Sequence, residues 1–228
     1  MGTRIAVVDY CKGNLASVER GLADAGFDAR ITENPADVRA ADGVVLPGVG
    51  AFADAMETME RLGQAEAIRD AVAEGAPFLG ICLGLHLLFE WGDEGSSEGE
   101  RREGLALLPG HVERMRAFDS AGVKRKVPHV GWNSVEFVKL QAGEDGSFLC
   151  SSRLFQGVPD GSYFYFTHSY VGVAADASDV VATTTHASRF ASAVERGNVY
   201  GVQFHPEKSS ALGLRVLSNF GAIVKEAS

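Results

Sequence analysis

The feature that most restricts the fold of this chain is an alternation of short, wholly apolar runs with helix signals. Ile5-Ala6-Val7-Val8 places apolar side chains at consecutive positions, so a strand formed there needs cover on both faces, as in the interior of a parallel sheet. A helix follows: Asn14 is positioned to cap it, Leu15, Val18, Leu22 and Ala25 fall on one stripe, and Gly26 offers a left-handed stop. The pattern recurs, with strands expected near 27–31, at 43–46 breaking at Pro47, and at 77–81. Helices are expected within 52–74 and over 83–91. Such alternation predicts an α/β fold with a doubly wound, mostly parallel open sheet.

Beyond Trp91 the texture changes. Residues 92–104 (GDEGSSEGERREG) have hardly an apolar side chain and read as an exposed loop to which no chemistry is assigned. Strands at 134–138, 163–170, 180–185 and 198–204 predict a mixed or antiparallel extension of the sheet, with 139–152 a polar surface excursion. Leu214, Leu217, Gly221 and Val224 place one side of a terminal helix against the core. No repeat or linker interrupts this order, so residues 1–228 are expected to form one domain.

The 30 acidic against 21 basic residues give a net charge of −9, which argues against the electropositive field that nucleic-acid backbones demand. No apolar run of membrane-spanning length and no signal-peptide h-region is present, so a cytoplasmic protein without membrane association is expected. Cys11, Cys82 and Cys150 are odd in number and far apart, which suggests neither a disulfide framework nor a metal site. Cys11 and Cys150 read as small core residues.

Cys82 is different. Gly80-Ile81-Cys82-Leu83-Gly84 lies where an apolar strand gives way to a helix, the arrangement of a nucleophile elbow with Cys for Ser. The glycines allow neighbouring backbone to approach, the helix start favours thiolate, and the Leu83 N–H is free for an oxyanion. A buried structural cysteine between packing glycines is the competing reading of this motif alone. A second motif, Gln203-Phe204-His205-Pro206-Glu207, brings His205 as a base and Glu207 as its orienting carboxylate. Taken alone, it also fits a surface histidine and a helix-start acid. The Gly-rich turn after Leu46-Pro47, Gly48-Val49-Gly50, supplies a candidate second oxyanion donor.

With PGVG at 47–50, GICLG at 80–84 and QFHPE at 203–207 in this order, the chain resembles the class I, triad-type glutamine amidotransferases. Asp9-Tyr10, Gly13-Asn14-Leu15, VPHVGWN at 127–133, YFTHSY at 165–170 and HPEKS at 205–209 narrow the likeness to the family of glutaminase subunits of imidazole glycerol phosphate synthase, over nearly the whole chain. The resemblance implies a catalytic triad of Cys82, His205 and Glu207 that hydrolyses L-glutamine to glutamate and ammonia. It implies oxyanion and glutamine contacts at Gly48, Val49, Gly50, Leu83, Ser169 and Tyr170. Position 86 is a departure: the family carries Gln four residues after the nucleophile, and here His86 either donates one hydrogen bond to substrate or packs on the elbow helix. The 139–152 segment is longer than the family pattern.

The resemblance further implies a partner, a (β/α)8-barrel cyclase subunit in a one-to-one heterodimer that uses the ammonia to make imidazole glycerol phosphate and aminoimidazole carboxamide ribotide in histidine biosynthesis. Asn14, Trp132 and Lys208 are the implied interface residues, and a reorientation of the 48–50 turn on partner binding is expected. No cofactor and no metal are expected. Two alternatives stay open on sequence: the glutaminase of another synthase, and a non-catalytic scaffold of the same fold.

Overall fold

The computed structural model describes residues 3–96, 100–138, 140–142 and 148–228. Of the 139–152 excursion, residues 139 and 143–147 lie outside the described residues, and its far end is not surface, since Cys150 and Ser152 are buried. In chain order the first half runs β1 (Arg4–Val8), α1 (Leu15–Asp24), β2 (Asp28–Thr32), α2 (Pro35–Arg39), β3 (Gly43–Gly48), α3 (Phe52–Arg61), α4 (Gln64–Ala73), β4 (Phe78–Cys82) and α5 (Leu83–Leu87). Short strands follow at β5 (Trp91–Gly92), β6 (Arg102–Glu103) and β7 (Gly110–Arg114). The second half is β8 (His129–Phe137), β9 (Leu140–Ala142), β10 (Phe148–Cys150), β11 (Ser162–His168), β12 (Tyr170–Ala174), β13 (Val180–Thr185), β14 (Arg189–Arg196), β15 (Val199–Val202) and α6 (Ser210–Ala227).

Nine strands form the main sheet in the order β11-β8-β13-β14-β15-β4-β3-β1-β2. From β15 to β2 every pairing is parallel, and from β11 to β15 every pairing is antiparallel. The expected doubly wound sheet with an antiparallel extension is what forms. Alternate residues of β1 serve two cores: Ile5 and Val7 pack with Val18, Leu22, Leu217 and Val224 of α1 and α6, whereas Ala6 and Val8 face Val44, Met56, Ile68 and Phe89. Coverage on both faces is why these strands carry no polar alternation. A smaller sheet, β12-β7-β5-β6, stands beside it. No helix among the described residues is long and apolar enough to cross a membrane.

Several expectations are corrected. β3 does not break at Pro47 but runs on to Gly48, because its ladder with β1 ends at Val45 and the missing proline donor has no partner there to lose. The helical stretch 52–74 is two helices, parted at Gly63, whose φ of +71° is a left-handed stop. The helix after Cys82 spans five residues rather than nine. The carbonyls of Leu87, Leu88, Phe89 and Glu90, which would have extended it, accept instead from the N–H groups of residues 104–108. The strand read over 163–170 is two strands of different sheets, parted at Ser169. Asn14 holds the N-cap position without a side-chain cap bond, Leu214 is 43% exposed while Leu217 and Val224 are buried, and Cys11 is exposed at φ +67° rather than in the core. β5 and β6, which pair at the two ends of the stretch read as an exposed loop, were not foreseen, nor were β7, β9, β10, β14 and α2.

Candidate active site

Cys82 closes β4 and opens α5 with φ 55° and ψ −104°, a left-handed conformation that a non-glycine residue adopts only at some cost. The flanking glycines make it possible. A Cβ on Gly80 would overlap the backbone of Gly84, and one on Gly84 would overlap the carbonyl of Leu46 on the adjacent strand. The parallel register seats the thiol between two strand ends: Gly48 of β3 pairs with Cys82, and Val202 of β15 pairs with Ile81. Segments more than a hundred positions apart in sequence thus end side by side at one sheet edge, where open α/β sheets bind ligands.

His205 follows β15 and is 2% exposed. Its Nδ1 donates to Glu207 Oε1 at 2.9 Å, and the other ring nitrogen, Nε2, is buried and makes no hydrogen bond. Burial pulls against charging this ring, but Cys82 and then Glu207 outweigh it and carry its pKa up to about 9. The sulfur thus acts on the imidazole while the pair rests outside hydrogen-bond geometry, as catalytic pairs without substrate often do. Ser209 holds the corner: its hydroxyl donates to the His205 carbonyl at 2.6 Å and accepts from the Tyr165 N–H at 3.0 Å, while His205 N–H donates to the Tyr165 carbonyl.

In front of the thiol is a cleft of about 330 Å3 whose walls include Val49, Gly50, Cys82, Leu83, His86, Ser169 and Tyr170. The fold therefore gathers the sequence-derived contacts on one surface, except Gly48. That residue lies beneath, where a Cβ would overlap the Tyr10 hydroxyl. Gly50, at φ +107°, gives the turn the left-handed freedom a reorienting loop needs. His205 and Glu207, both nearly fully buried, are not among the residues that line the cleft.

Glu94 was missed. It belongs to the stretch read as an exposed loop without chemistry, yet it lines the cleft. Burial, opposed by the Phe52 backbone N–H and aided by Asp93, pushes its carboxyl up to about 7. Nothing in the composition of 92–104 sets this residue apart from its acidic neighbours.

His86 is 3% exposed and its Nε2 lies 2.8 Å from Gln203 Oε1. A carbonyl oxygen only accepts, so Nε2 carries the proton of the neutral ring, and Nδ1, near the Tyr170 backbone, makes no hydrogen bond. Any contact His86 makes with substrate is therefore as acceptor, not as the donor foreseen from sequence. Burial lowers its pKa to about 4, so the ring stays neutral.

A second row of imidazoles supports the opposite wall. Asn133 Nδ2 donates to His129 Nε2 at 3.2 Å, His129 Nδ1 to His168 Nε2 at 3.1 Å, and His168 Nδ1 to the Tyr170 carbonyl at 2.8 Å. The chain runs in one direction because its end is a carbonyl. Burial first, then neighbouring histidines, keep His129 and His168 uncharged. Among the described residues no grouping of His, Cys, Asp and Glu could hold a metal ion.

Of the interface candidates, Trp132 is 52% exposed and its ring meets Tyr165 edge-on, and Lys208 Nζ stands 6.0 Å above the same Tyr165 ring. Asn14 is at the head of α1, a helix that packs against the turn Pro206–Lys208.

Comparison with known proteins agrees with this geometry. Residues 6–223 match the model of the glutamine amidotransferase class I family. The imidazole glycerol phosphate synthase subunit HisH of Moorella thermoacetica is 48% identical over 98% of this chain and 96% of its own, and that of Halalkalibacterium halodurans is 43% identical over 97% of each. Among solved structures, a glutamine amidotransferase superposes with a TM-score of 0.68 at 17% identity, covering 96% of this chain and 98% of its own. PurLQS from Thermotoga maritima gives 0.62 at 20% identity, over 96% and 98%; both speak to fold alone. The chain belongs to the class I glutamine amidotransferases and, within them, to the HisH subunits of imidazole glycerol phosphate synthase.

Proposed function

We propose that the chain is one amidotransferase domain in which Cys82, His205 and Glu207 hydrolyse L-glutamine and hand the ammonia to a synthase partner in histidine biosynthesis. The observation that carries this reading is the convergence of a strained Cys82, a His205 charged by its neighbours and a buried Glu207 at one sheet edge beside a cleft. The Cys82 sulfur adds to the side-chain amide carbon, and the oxyanion is met by the Leu83 N–H and by an N–H of the 48–50 turn. His205 gives a proton to the amide nitrogen as the C–N bond breaks, which releases ammonia and leaves a glutamyl thioester. The same ring then takes a proton from water, whose oxygen displaces the sulfur to give glutamate.

The α-amino acid end of glutamine is proposed to rest against Ser169 and Tyr170, with its ammonium beside Glu94, the acid in the cleft wall. The partner is proposed to be a (β/α)8-barrel cyclase bound one to one, forming imidazole glycerol phosphate and aminoimidazole carboxamide ribotide. Trp132 and Lys208, grouped round Tyr165, support an interface near the cleft, and Asn14 is retained as a further contact. Because free ammonia is protonated in neutral water, the transfer needs an enclosed path between subunits. None of the three cysteines is in a disulfide, which suits work in the reducing cytoplasm.

The test is synthase activity of the complex with Cys82→Ala. Glutamine-dependent turnover should vanish while ammonium-dependent turnover persists; glutamine turnover at the wild-type rate would remove Cys82 as nucleophile.

A further inference from the structure

Gln203 is wholly buried, and a buried primary amide is costly unless its donors and acceptor are occupied. Its oxygen is occupied by His86 Nε2–H at 2.8 Å. Its nitrogen, on the far side of the same amide plane, donates to Cys82 Sγ at 3.8 Å. The two bonds are not independent. With the imidazole N–H fixed on the oxygen, the NH2 end must face the sulfur; if the amide turned over, His86 would lose its acceptor and the sulfur would meet a carbonyl oxygen instead.

The distinction matters for charge. A thiol can give its proton to a carbonyl, and Cys82 has one such acceptor in Thr167 O at 3.8 Å. A thiolate can only accept, and is stabilised by N–H groups fixed towards it in a site without water. The helix behind Cys82 has five residues, so its dipole gives less support than a long helix would. His205 supplies a proton-bearing ring on loan, since that proton leaves with ammonia. The Gln203 N–H stays in place throughout the cycle.

We propose that Gln203 is a catalytic residue that binds the Cys82 thiolate through its amide N–H, and that His86 is the positioning residue that keeps that N–H directed at the sulfur. This rests on the reading of Cys82 as nucleophile. It also gives position 86 a role directed at the enzyme's own sulfur rather than at glutamine. His86 keeps the neutral form the role requires, since burial holds its pKa near 4.

The experiment uses the complex with the cyclase. The rate at which iodoacetamide alkylates Cys82 is followed by mass spectrometry from pH 5 to 10, alongside kcat and KM for glutamine. Gln203→Met keeps the length and removes the donor. The alkylation profile should move to higher pH, with the rate at pH 7 lowered roughly 10- to 100-fold, as expected for loss of a hydrogen bond to a charged group. kcat should fall with KM little changed. His86→Met, which leaves Gln203 in place but free to turn, should move the profile the same way by less, and His86→Gln, which restores an N–H donor, should return it towards wild type.

An unmoved profile in both methionine variants overturns the proposal, and so does an equal shift in His86→Gln. Should Gln203→Met not fold, the two His86 variants decide alone. Wild-type complex that keeps glutamine-dependent synthesis after full alkylation of Cys82 would instead overturn the nucleophile reading. That outcome is read separately from any shift in profile.

Discussion

Glu207 Oε1 accepts a 2.9 Å hydrogen bond from His205 Nδ1, and neither side chain is more than 3% exposed. The bond fixes the ring's tautomer, turning the other nitrogen to the thiol. It also favours the imidazolium, so that His205 keeps its proton up to a pKa of about 9 against the pull of burial.

A basic limb near pH 9 is therefore expected in kcat/KM for glutamine, where His205 loses the proton that the departing ammonia needs. Glu207→Gln removes one of the charges that raise the pKa, so the limb should shift to lower pH. kcat should drop roughly 10²-fold or more, as when acid–base catalysis is impaired. A limb that stays at the wild-type position in Glu207→Gln would show that the carboxylate does not tune the ring.

Tyr10 and Gly48 set a second expectation. The Tyr10 hydroxyl is buried under the 48–50 turn with no hydrogen-bond partner, and a Cβ at position 48 would overlap it. Burial, with Cys82 and Asp9 adding to it, keeps the phenol protonated. An unpartnered buried hydroxyl costs about 1–3 kcal/mol, so Tyr10→Phe should raise stability by about 1 kcal/mol. Gly48→Ala should lower it by about 1–3 kcal/mol through overpacking. In the double variant the removed oxygen makes room for the new methyl, so its loss should be smaller than the sum of the two. Urea unfolding of the four proteins gives the coupling, and strict additivity would mean that the two side chains do not compete for this space.

Glu94 carries a prediction that sequence offered no route to. If the substrate's α-ammonium sits beside this carboxylate, Glu94→Gln should raise KM for glutamine roughly 10-fold with little change in kcat, the loss expected for a charge-assisted bond. Because burial pushes the carboxyl up to about 7, wild-type KM should also climb as pH falls from 8 to 6, where the acid gains a proton. The Gln variant should lack that climb. Equal pH dependence in both proteins would place the ammonium elsewhere.

The parts legible in the sequence were those with a local cause. Consecutive apolar residues in β1, β3 and β4 state that both faces are covered, and the glycines at 80 and 84 state that backbone passes close by. Cys82, His205 and Glu207 could be singled out because Cys82 ends a strand and the other two follow one closely, each in a short, unusual motif. What stayed hidden depends on contacts between distant segments. α5 stops at Leu87 because residues 104–108 take its carbonyls, and no feature of 83–91 announces that. Pro47 sits inside β3 because β1 ends first. Glu94 reaches the cleft only because its loop folds back over α3, where the Glu94 carbonyl accepts from Ala53 N–H. His86 looked like a weakened substrate contact until Gln203, 117 positions away, proved to hold its only N–H.

The buried neutral histidines lead to the last prediction, which concerns stability. His86 and His129 have pKa values lowered to about 4, each chiefly by burial, against 6.5 for a free imidazole. Between those values the unfolded chain binds protons that the folded protein refuses, so unfolding free energy rises with pH across this interval. Their contribution is complete above about 6.5 and is lost as pH falls towards 4. His205 has the opposite sign: its raised pKa gives stability that is complete below about 6.5 and fades as pH rises through about 9. Urea midpoints at pH 5, 7 and 9.5 should therefore peak at the middle value. The acid flank can be assigned by difference, since His86→Gln replaces a titrating ring with an amide while leaving Glu94 and the other acids as they are. That variant should lose less stability than wild type between pH 7 and pH 5. Parallel losses in the two proteins would mean that protons on His86 cost the folded state nothing.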